Sequence, residues 1–380
     1  MPYWRLSGFY FFYFAALGAL VPFWGLYLKE RGFSALAIGQ LMAILMATKI
    51  VAPNVWGWIA DRMGARMPIV RLASLLSLVT FTGVFAVQGF WGIAFVMSLF
   101  SFFWNASLPQ VEAVTFDHLG SRMRRYATVR LWGSIGFICA VLLLGAAVER
   151  VGTTAVPQLV LGLYLGIWLS SLRIPEAVST RENGGQGESV VGRLKRPEVA
   201  AFLVTCFFMQ ASHGAYYVFY SIHLTDAGYS STAVGVLWAW GVVVEVLVFT
   251  FMHRILERFG TRLVLLLSLA LAVLRWLVTG HFVDLLVIQV VAQALHSFTF
   301  GAYHAAAIHL AHHYFRGRTQ GRGQALYNSV GFGVGGAAGS LASGAIWSSA
   351  GASLTFDLSA LAAAAGWLAA WIWVDRDRRY

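Results

Sequence analysis

Charged residues are scarce in this 380-residue chain, at 11% of the total. That is about half of what a soluble domain carries, and it excludes a water-exposed surface over most of the length. Lysine is almost missing. The three present are Lys29, Lys49 and Lys195, and none stands in the glycine pattern of a phosphate-binding loop, so the chain alone offers no basis for ATP-driven work. The two cysteines, Cys139 and Cys206, fall in different apolar runs and support neither a disulfide framework nor a thiolate metal knot. His309, His312 and His313 have a metal-like spacing, but Arg316, Arg318 and Arg322 follow them with no acidic or thiol partner. That combination reads as an interfacial loop. No nucleophile–base pair marks an enzyme, and no cofactor or metal is expected.

What is abundant is apolar sequence, 59% of the chain, collected into twelve long runs at about 6–28, 35–60, 68–87, 91–116, 126–148, 153–172, 199–224, 232–252, 263–280, 285–310, 324–347 and 352–374. In lipid they must be helices, because an open strand would leave backbone groups unpaired. The first run is long for a secretory signal and matches the start of the second half, so it is read as retained. The fold expected is an all-α membrane protein of twelve transmembrane helices. The net charge of +11 does not call for nucleic acid. With the N-terminus inside, 21 of the 27 Lys and Arg fall on the cytoplasmic side, three outside (Lys29, Arg31, Arg150) and three within spans (Lys49, Arg130, Arg275). This bias predicts both termini in the cytoplasm, with attraction to anionic lipid adding to it.

The chain also says nearly the same thing twice. Gly32-Phe33-Ser34 and Gly39 recur as Gly228-Tyr229-Ser230 and Gly235, at an offset of 196. Ser134-Ile135-Gly136-Phe137 returns as Ser329-Val330-Gly331-Phe332, with the offset slipped to 195. Residues 173–198 are polar, and Thr180–Ser189 is charged and glycine-rich, which suits a flexible linker. The organisation predicted is a six-helix bundle over 1–172, a cytoplasmic linker over 173–198 and a second six-helix bundle over 199–380. Two similar halves rocking about one central site are the hallmark of a transporter. The eleventh run carries Gly331, Gly335 and Gly339 at four-residue spacing, either a close packing seam or a sliding surface used in gating.

Between the second and third runs the chain reads Gly57-x-x-x-Asp61-Arg62-x-Gly64-x-Arg66, and the second half repeats it as His253-x-x-x-Glu257-Arg258-x-Gly260-x-Arg262. This resembles the signature loop of the major facilitator superfamily, and the resemblance implies a gating loop at Gly57, Asp61, Arg62, Gly64, Arg66, Glu257, Arg258, Gly260 and Arg262. In its chemistry, Asp61 can accept hydrogen bonds from a neighbouring helix N-terminus while the arginines stay at the surface. Departures are Ala65, where the family usually has a basic residue, and His253 in place of the first glycine. Arg130-Leu131-Trp132-Gly133-Ser134, Gln210-Ala211-Ser212-His213-Gly214-Ala215-Tyr216-Tyr217, the run from Ala227 through Glu245, Arg275-Trp276 and the stretch Gln293 to Phe298 are similar to the phenylpropionate permease family, allied to lactose-permease-type symporters. The resemblance covers essentially the whole chain and implies proton-coupled uptake across a bacterial inner membrane.

Ionisable residues deep in a span are functional candidates by default. Glu112 and Arg130 stand 18 residues apart on successive runs, where an antiparallel pair brings them level. Their spacing is similar to the sugar-binding pair of the lactose permease group; the bland alternative is a buried ion pair fixing register. Glu245, Arg275 and His296 lie on the eighth, ninth and tenth runs, the arrangement that lactose-type symporters use for coupling. Burial disfavours the ionised form of a carboxyl, so Glu245 is the proton carrier and Arg275 biases its release, with a snorkelling Arg275 as the alternative. That group has a carboxylate one turn after the histidine; here the position is Thr299. Lys49 is too central to snorkel and leaves one buried cation in excess, which favours an anionic solute. Trp104 and Asn105, with Gln210, His213 and Tyr217 on one stripe and Gln289, Gln293, His296 and Tyr303 on another, supply aromatic walls and polar anchors. The substrate set is therefore Lys49, Trp104, Asn105, Glu112, Arg130, Gln210, His213, Tyr217 and Gln293, and the coupling set Glu245, Arg275 and His296. The expected activity is proton symport of a small organic solute, most simply an aromatic carboxylate, by a monomer in contact with lipid. A sugar/proton symporter, an efflux protein and a non-transporting membrane sensor stay open.

Overall fold

The computed structural model describes residues 1–120, 122, 125–177 and 190–375; most of the expected linker, including Thr180–Ser189, lies outside the described residues. Among the described residues every regular element is helical. Eleven helices are long and apolar enough to cross a membrane: α1 (Tyr3–Glu30), α2 (Ala35–Met63), α3 (Met67–Phe85, ending in a 3-10 turn), α4 (Gly89–Leu119), α5 (Tyr126–Val151), α6 (Ala155–Arg173), α7 (Pro197–Asp226), α8 (Ser231–Phe259), α9 (Thr261–His281), α10 (Leu286–Tyr314) and α11 (Gln320–Trp373). α11 runs for 54 residues, about 80 Å at helical rise, far more than the ~30 Å hydrocarbon core. Its helical geometry breaks at Gly351, where φ is 79° and ψ −171°, between the two last apolar runs of the sequence.

The helix ends repeat as the sequence does. Ser34 Oγ accepts from the Ala37 amide at 3.3 Å, and Ser230 Oγ from the Ala233 amide at 3.2 Å, two equivalent N-caps. Gly64 closes α2 in the left-handed region (φ 67°), and Gly260 does the same after α8 (φ 74°), a conformation that glycine adopts without steric cost. Pro197 occupies the first turn of α7, where its missing N–H costs nothing.

Two compact units emerge, one of Met1–Glu182 with Gly228–Ala239 and one of Asn183–Ala227 with Trp240–Tyr380. In the first, α1 packs on α5 and α6, α2 on α4, and α3 on α4 and α6; in the second, α7 packs on α11, and α9 on α10 and α11. Glycine sets the tightest seams. A methyl group on Gly136 would overlap the carbonyl oxygen of Phe11, and one on Gly335 the carbonyl oxygen of Phe207. Phe11 and Phe207 are 196 apart, but Gly136 and Gly335 are 199 apart. Gly152 (φ 80°, ψ 178°) and Gly351 share both the 199 offset and the backbone geometry. The 195 frame read from Ser134–Phe137 is therefore one helical turn out of register with the contacts. Residues four apart share a helix face, so a glycine-rich helix disguises a slip of one turn.

Besides the break at Gly351, three departures from α geometry fall in the second unit. α7 is interrupted at His213, and α10 and α11 contain π-helical turns at Ser297–Ala302 and Ser329–Gly335, irregularities that collect at functional sites. The outer surface is apolar: Trp91 is 82% and Val287 75% exposed, side chains that water would penalise and lipid does not.

Candidate functional site

The polar centre of the first unit is dispersed. Glu112 on α4 accepts a hydrogen bond from the Tyr126 hydroxyl at 3.3 Å. Arg130 on α5 places its guanidinium 3.6 Å from the centroid of the Phe14 ring, in space left by Gly133. No ion pair within 4.0 Å joins Glu112 and Arg130 among the described residues, which removes the bland alternative of a buried pair fixing register; a phenol and an aromatic face hold the two charges separately. Lys49 on α2 reaches only the Met46 sulfur, at 3.5 Å, and no carboxylate pairs with it among the described residues. Asn105 is tied down. Its amide donates to Thr48 Oγ1 (2.9 Å) and Leu45 O (3.4 Å), and Thr48 continues to Ser101 (3.0 Å), a polar ladder that joins α4 to α2. Trp104 stacks on Tyr13 with centroids 5.1 Å apart and meets Tyr164 edge-on.

The second unit gathers its polar groups into one cluster. Glu245 Oε2 lies 3.6 Å from His296 Nε2; Gly301 sits against the Glu245 side chain, and Gly241 against Gln293 and His296. Arg275 is 0% exposed, which removes the snorkelling alternative. Its Nε donates to the Ala292 carbonyl (2.9 Å) and one terminal nitrogen to Thr299 Oγ1 (3.1 Å). The other terminal nitrogen is buried with no partner. The guanidinium stacks on Tyr216 (4.2 Å) and Trp276 (4.4 Å). Arg275 makes no ion pair with Glu245 or any other carboxylate among the described residues. Tyr216 donates to Gln293 Oε1 at 3.0 Å, and Tyr220 to Gln289 Oε1 at 3.4 Å. His213 Nδ1 donates to the Met209 carbonyl at 2.8 Å, and its Nε2 is buried without a partner.

The stripe Gln210, His213, Tyr217 is not continuous. Gln210 packs against Gly331 of α11, while the Tyr217 ring lies 5.7 Å from the His213 ring. The break at His213 resets the helical phase, so Tyr216 and Tyr220 face α9 and α10 instead. Tyr216 and Trp276 entered the sequence analysis only within the stretches that carry the family resemblance, and Tyr220 not at all; a Ser-His-Gly step inside an apolar helix is the signal that could have exposed the shift.

At the signature loop Asp61 pairs with Arg66 at 3.6 Å, and Arg66 also donates to Gln110 Oε1 at 2.6 Å, beside Gly57. Arg62 covers the Trp58 ring at 3.9 Å. Glu176 Oε2 accepts from the backbone amides of Arg66 and Met67 (3.0 and 2.8 Å), an N-terminal anion site that sequence reasoning missed. In the second copy Glu257 pairs with His253 at 3.1 Å, Arg258 lies 5.6 Å from the Phe259 ring, and Arg262 donates to the Val374 and Trp371 carbonyls.

Residues 3–358 match the model of the MFS_1 like family. The chain belongs to that family. It is thus a multi-pass membrane transporter of the major facilitator type, and its relatives are transporters rather than enzymes. It is 32% identical over 337 residues to the probable 3-phenylpropionic acid transporter of Escherichia coli (strain K12), covering 85% of this chain and 86% of that one. It is 26% identical over 330 residues to a maltose permease of Geobacillus stearothermophilus, covering 86% and 83%. In fold it is similar to the nucleoside transporter NupG, with a TM-score of 0.80 at 16% identity over 98% of both chains. This major facilitator transporter has a small-molecule substrate.

Proposed function

We propose that this chain is a proton-coupled symporter for a small organic carboxylate with an aromatic or similarly apolar body. The observation that carries the reading is Arg275: fully buried, with one unpartnered nitrogen and, among the described residues, no carboxylate in ion-pair reach. An unpaired buried cation costs several kcal/mol, and a substrate carboxylate is the group that relieves it. Thr299 stands where the lactose-permease resemblance implies a carboxylate, which leaves that role to the solute. The unpaired Lys49 adds a second cation of the same kind, and the relative named for 3-phenylpropionic acid agrees with an aromatic carboxylate. Tyr216, Trp276 and His213 supply aromatic faces, and Gln293 an amide.

In this reading Glu245 carries the proton beside His296, and Lys49, Trp104, Asn105, Glu112, Arg130, Gln210, His213, Tyr217 and Gln293 contribute to the solute path. The Asp61 and Glu257 loops gate the cytoplasmic side of a bacterial inner membrane. The reading counts α11 as two crossings divided at Gly351, giving twelve, with both termini cytoplasmic, halves over 1–172 and 199–380, and the 173–198 linker between them. A sugar substrate is the second reading, favoured by the maltose permease relative.

Proteoliposomes with an imposed pH gradient test the proposal. Labelled 3-phenylpropionate should accumulate, and Glu245→Gln should abolish accumulation against the gradient while exchange across the membrane continues. Accumulation that survives Glu245→Gln removes Glu245 as carrier. Lys49→Ala should impair acids more than neutral sugars, and equal loss would remove Lys49 as a reader of charge.

A further inference from the structure

The break in α7 is tied off by a small hydrogen-bond network whose donors and acceptors are fixed by their chemistry. His213 ends the first piece of the helix, and Met209, Ser212, His213 and Trp276 are all fully buried. The Trp276 indole N–H, which can only donate, donates to Ser212 Oγ at 3.2 Å. Ser212 in turn donates to the Met209 carbonyl at 2.7 Å. The same carbonyl stands 2.8 Å from His213 Nδ1. A carbonyl oxygen can only accept, so Nδ1 bears the ring proton. In the neutral imidazole the other nitrogen, Nε2, is then an acceptor. It is buried, and no group among the described residues donates to it.

A buried acceptor without a donor costs free energy, and the polar neighbours are engaged elsewhere. The Trp276 N–H is held by Ser212. The Tyr216 hydroxyl, whose ring meets His213 edge-on at 6.5 Å, is directed to Gln293. The unsatisfied nitrogen of Arg275 is close by. Its guanidinium lies 4.4 Å from the centroid of the Trp276 ring, and the His213 ring stands perpendicular to that ring at 4.8 Å. One aromatic side chain is thus the common neighbour of a cation that lacks an anion and an acceptor that lacks a donor.

We infer that His213 Nε2 accepts a hydrogen bond from a hydroxyl on the apolar body of the solute, so that the substrate class is a hydroxylated aromatic carboxylate. The inference rests on the carboxylate reading above, which places the anionic end at Arg275. A phenol suits the other end, because its ring matches the aromatic faces of Tyr216, Tyr217 and Trp276 while its O–H supplies the missing donor. A methyl ether of similar shape would offer Nε2 a second acceptor and leave both unsatisfied. Sites built to hydrogen-bond a hydroxyl discriminate strongly against the analogue that lacks it. His213 therefore determines specificity, and Ser212 with the Met209 carbonyl holds the tautomer that it needs.

Competition in proteoliposomes tests this. Uptake of labelled 3-phenylpropionate is measured against unlabelled 3-phenylpropionate, its 2-, 3- and 4-hydroxyphenyl counterparts, and the three matching methoxyphenyl acids. In the parent protein at least one hydroxyphenyl acid should compete at about tenfold lower concentration than 3-phenylpropionate, and its methoxy counterpart should lose that advantage. In His213→Phe, which keeps a ring and removes the acceptor, the ratio between the hydroxylated and unsubstituted acids should fall to about one. No advantage for any hydroxyphenyl acid in the parent overturns the inference, as does an advantage that persists in His213→Phe. Should His213→Phe fail to fold in detergent melts, the order of competition in the parent decides alone. Uptake of 3-phenylpropionate without a hydroxyl preference sinks only the role of His213; no uptake of any of these acids sinks the carboxylate reading with it.

Discussion

The two units share a backbone plan and differ at their polar centres. Each seals its first helix to its fifth through a glycine that no larger residue could replace, Gly136 against Phe11 and Gly335 against Phe207. Their centres diverge. The first unit holds each charge singly, Glu112 on a tyrosine, Arg130 on a phenylalanine and Lys49 beside a methionine sulfur. The second joins Glu245, His296, Gln293, Tyr216, Arg275 and Thr299 through short contacts on four helices. Its breaks at His213 and Ser297–Ala302 adjoin that cluster, whereas the corresponding helices of the first unit, α1 and α4, stay α-helical. The comparison teaches that duplicated scaffolds can hold their seams fixed while one copy concentrates its chemistry.

The largest expected effect breaks the likeness. Gly136→Leu and Gly335→Leu should each abolish the folded protein, since even an inserted methyl group at such a site costs about 1–3 kcal/mol. Gly162→Ala, with open space around it, should leave the melting temperature unchanged. If only one seam proves sensitive in detergent melts, the backbones differ as well as the centres. The next effect sharpens the difference: Thr299→Glu places a carboxylate beside Arg275 and should lower uptake of 3-phenylpropionate about tenfold, equivalent to 1.4 kcal/mol of lost binding, with weaker effect on a neutral solute. Asn105→Ala should then cost about 1 kcal/mol of stability and raise KM, since the amide ties α4 to α2 within the proposed solute path; an unchanged KM would take Asn105 out of that path. Smallest of all, Glu176→Gln should lower stability by roughly 0.5 kcal/mol through the α3 N-terminus, read as a shift in melting temperature.

Much of this was legible in the sequence, and the remainder hid for physical reasons. Helix positions follow from apolar runs, and Ser34, Ser230, Gly64 and Gly260 stand out in the sequence as repeated residues, their place at helix ends coming from the structure. Arg275 was found because charge in an apolar run is conspicuous, and His296 and Gln293 because they share a face. Tyr216 was missed since a straight 3.6-residue period through His213 selects Tyr217; local geometry, not composition, sets the phase after a break. Glu176 was missed because its partners lie 109 and 110 residues earlier, and an exposed carboxylate beside a linker carries no local sign of what it caps. The glycine frame misled for the opposite reason, offering too many matches at one-turn intervals.

One dihedral angle carries an arithmetical consequence. A chain that crosses a membrane an even number of times ends on the side where it began, and an odd number delivers its tail to the other. Ten helices and an unbroken α11 would make eleven crossings; the proposed reading divides the last at Gly351, where φ is 79°, and makes twelve. On the twelve-crossing reading, the compartment that receives the C-terminus is decided by a residue with no side chain, and any substitution that straightens Gly351 would strand the last 22 apolar positions outside the bilayer, about 33 Å of helix, or force the tail across it.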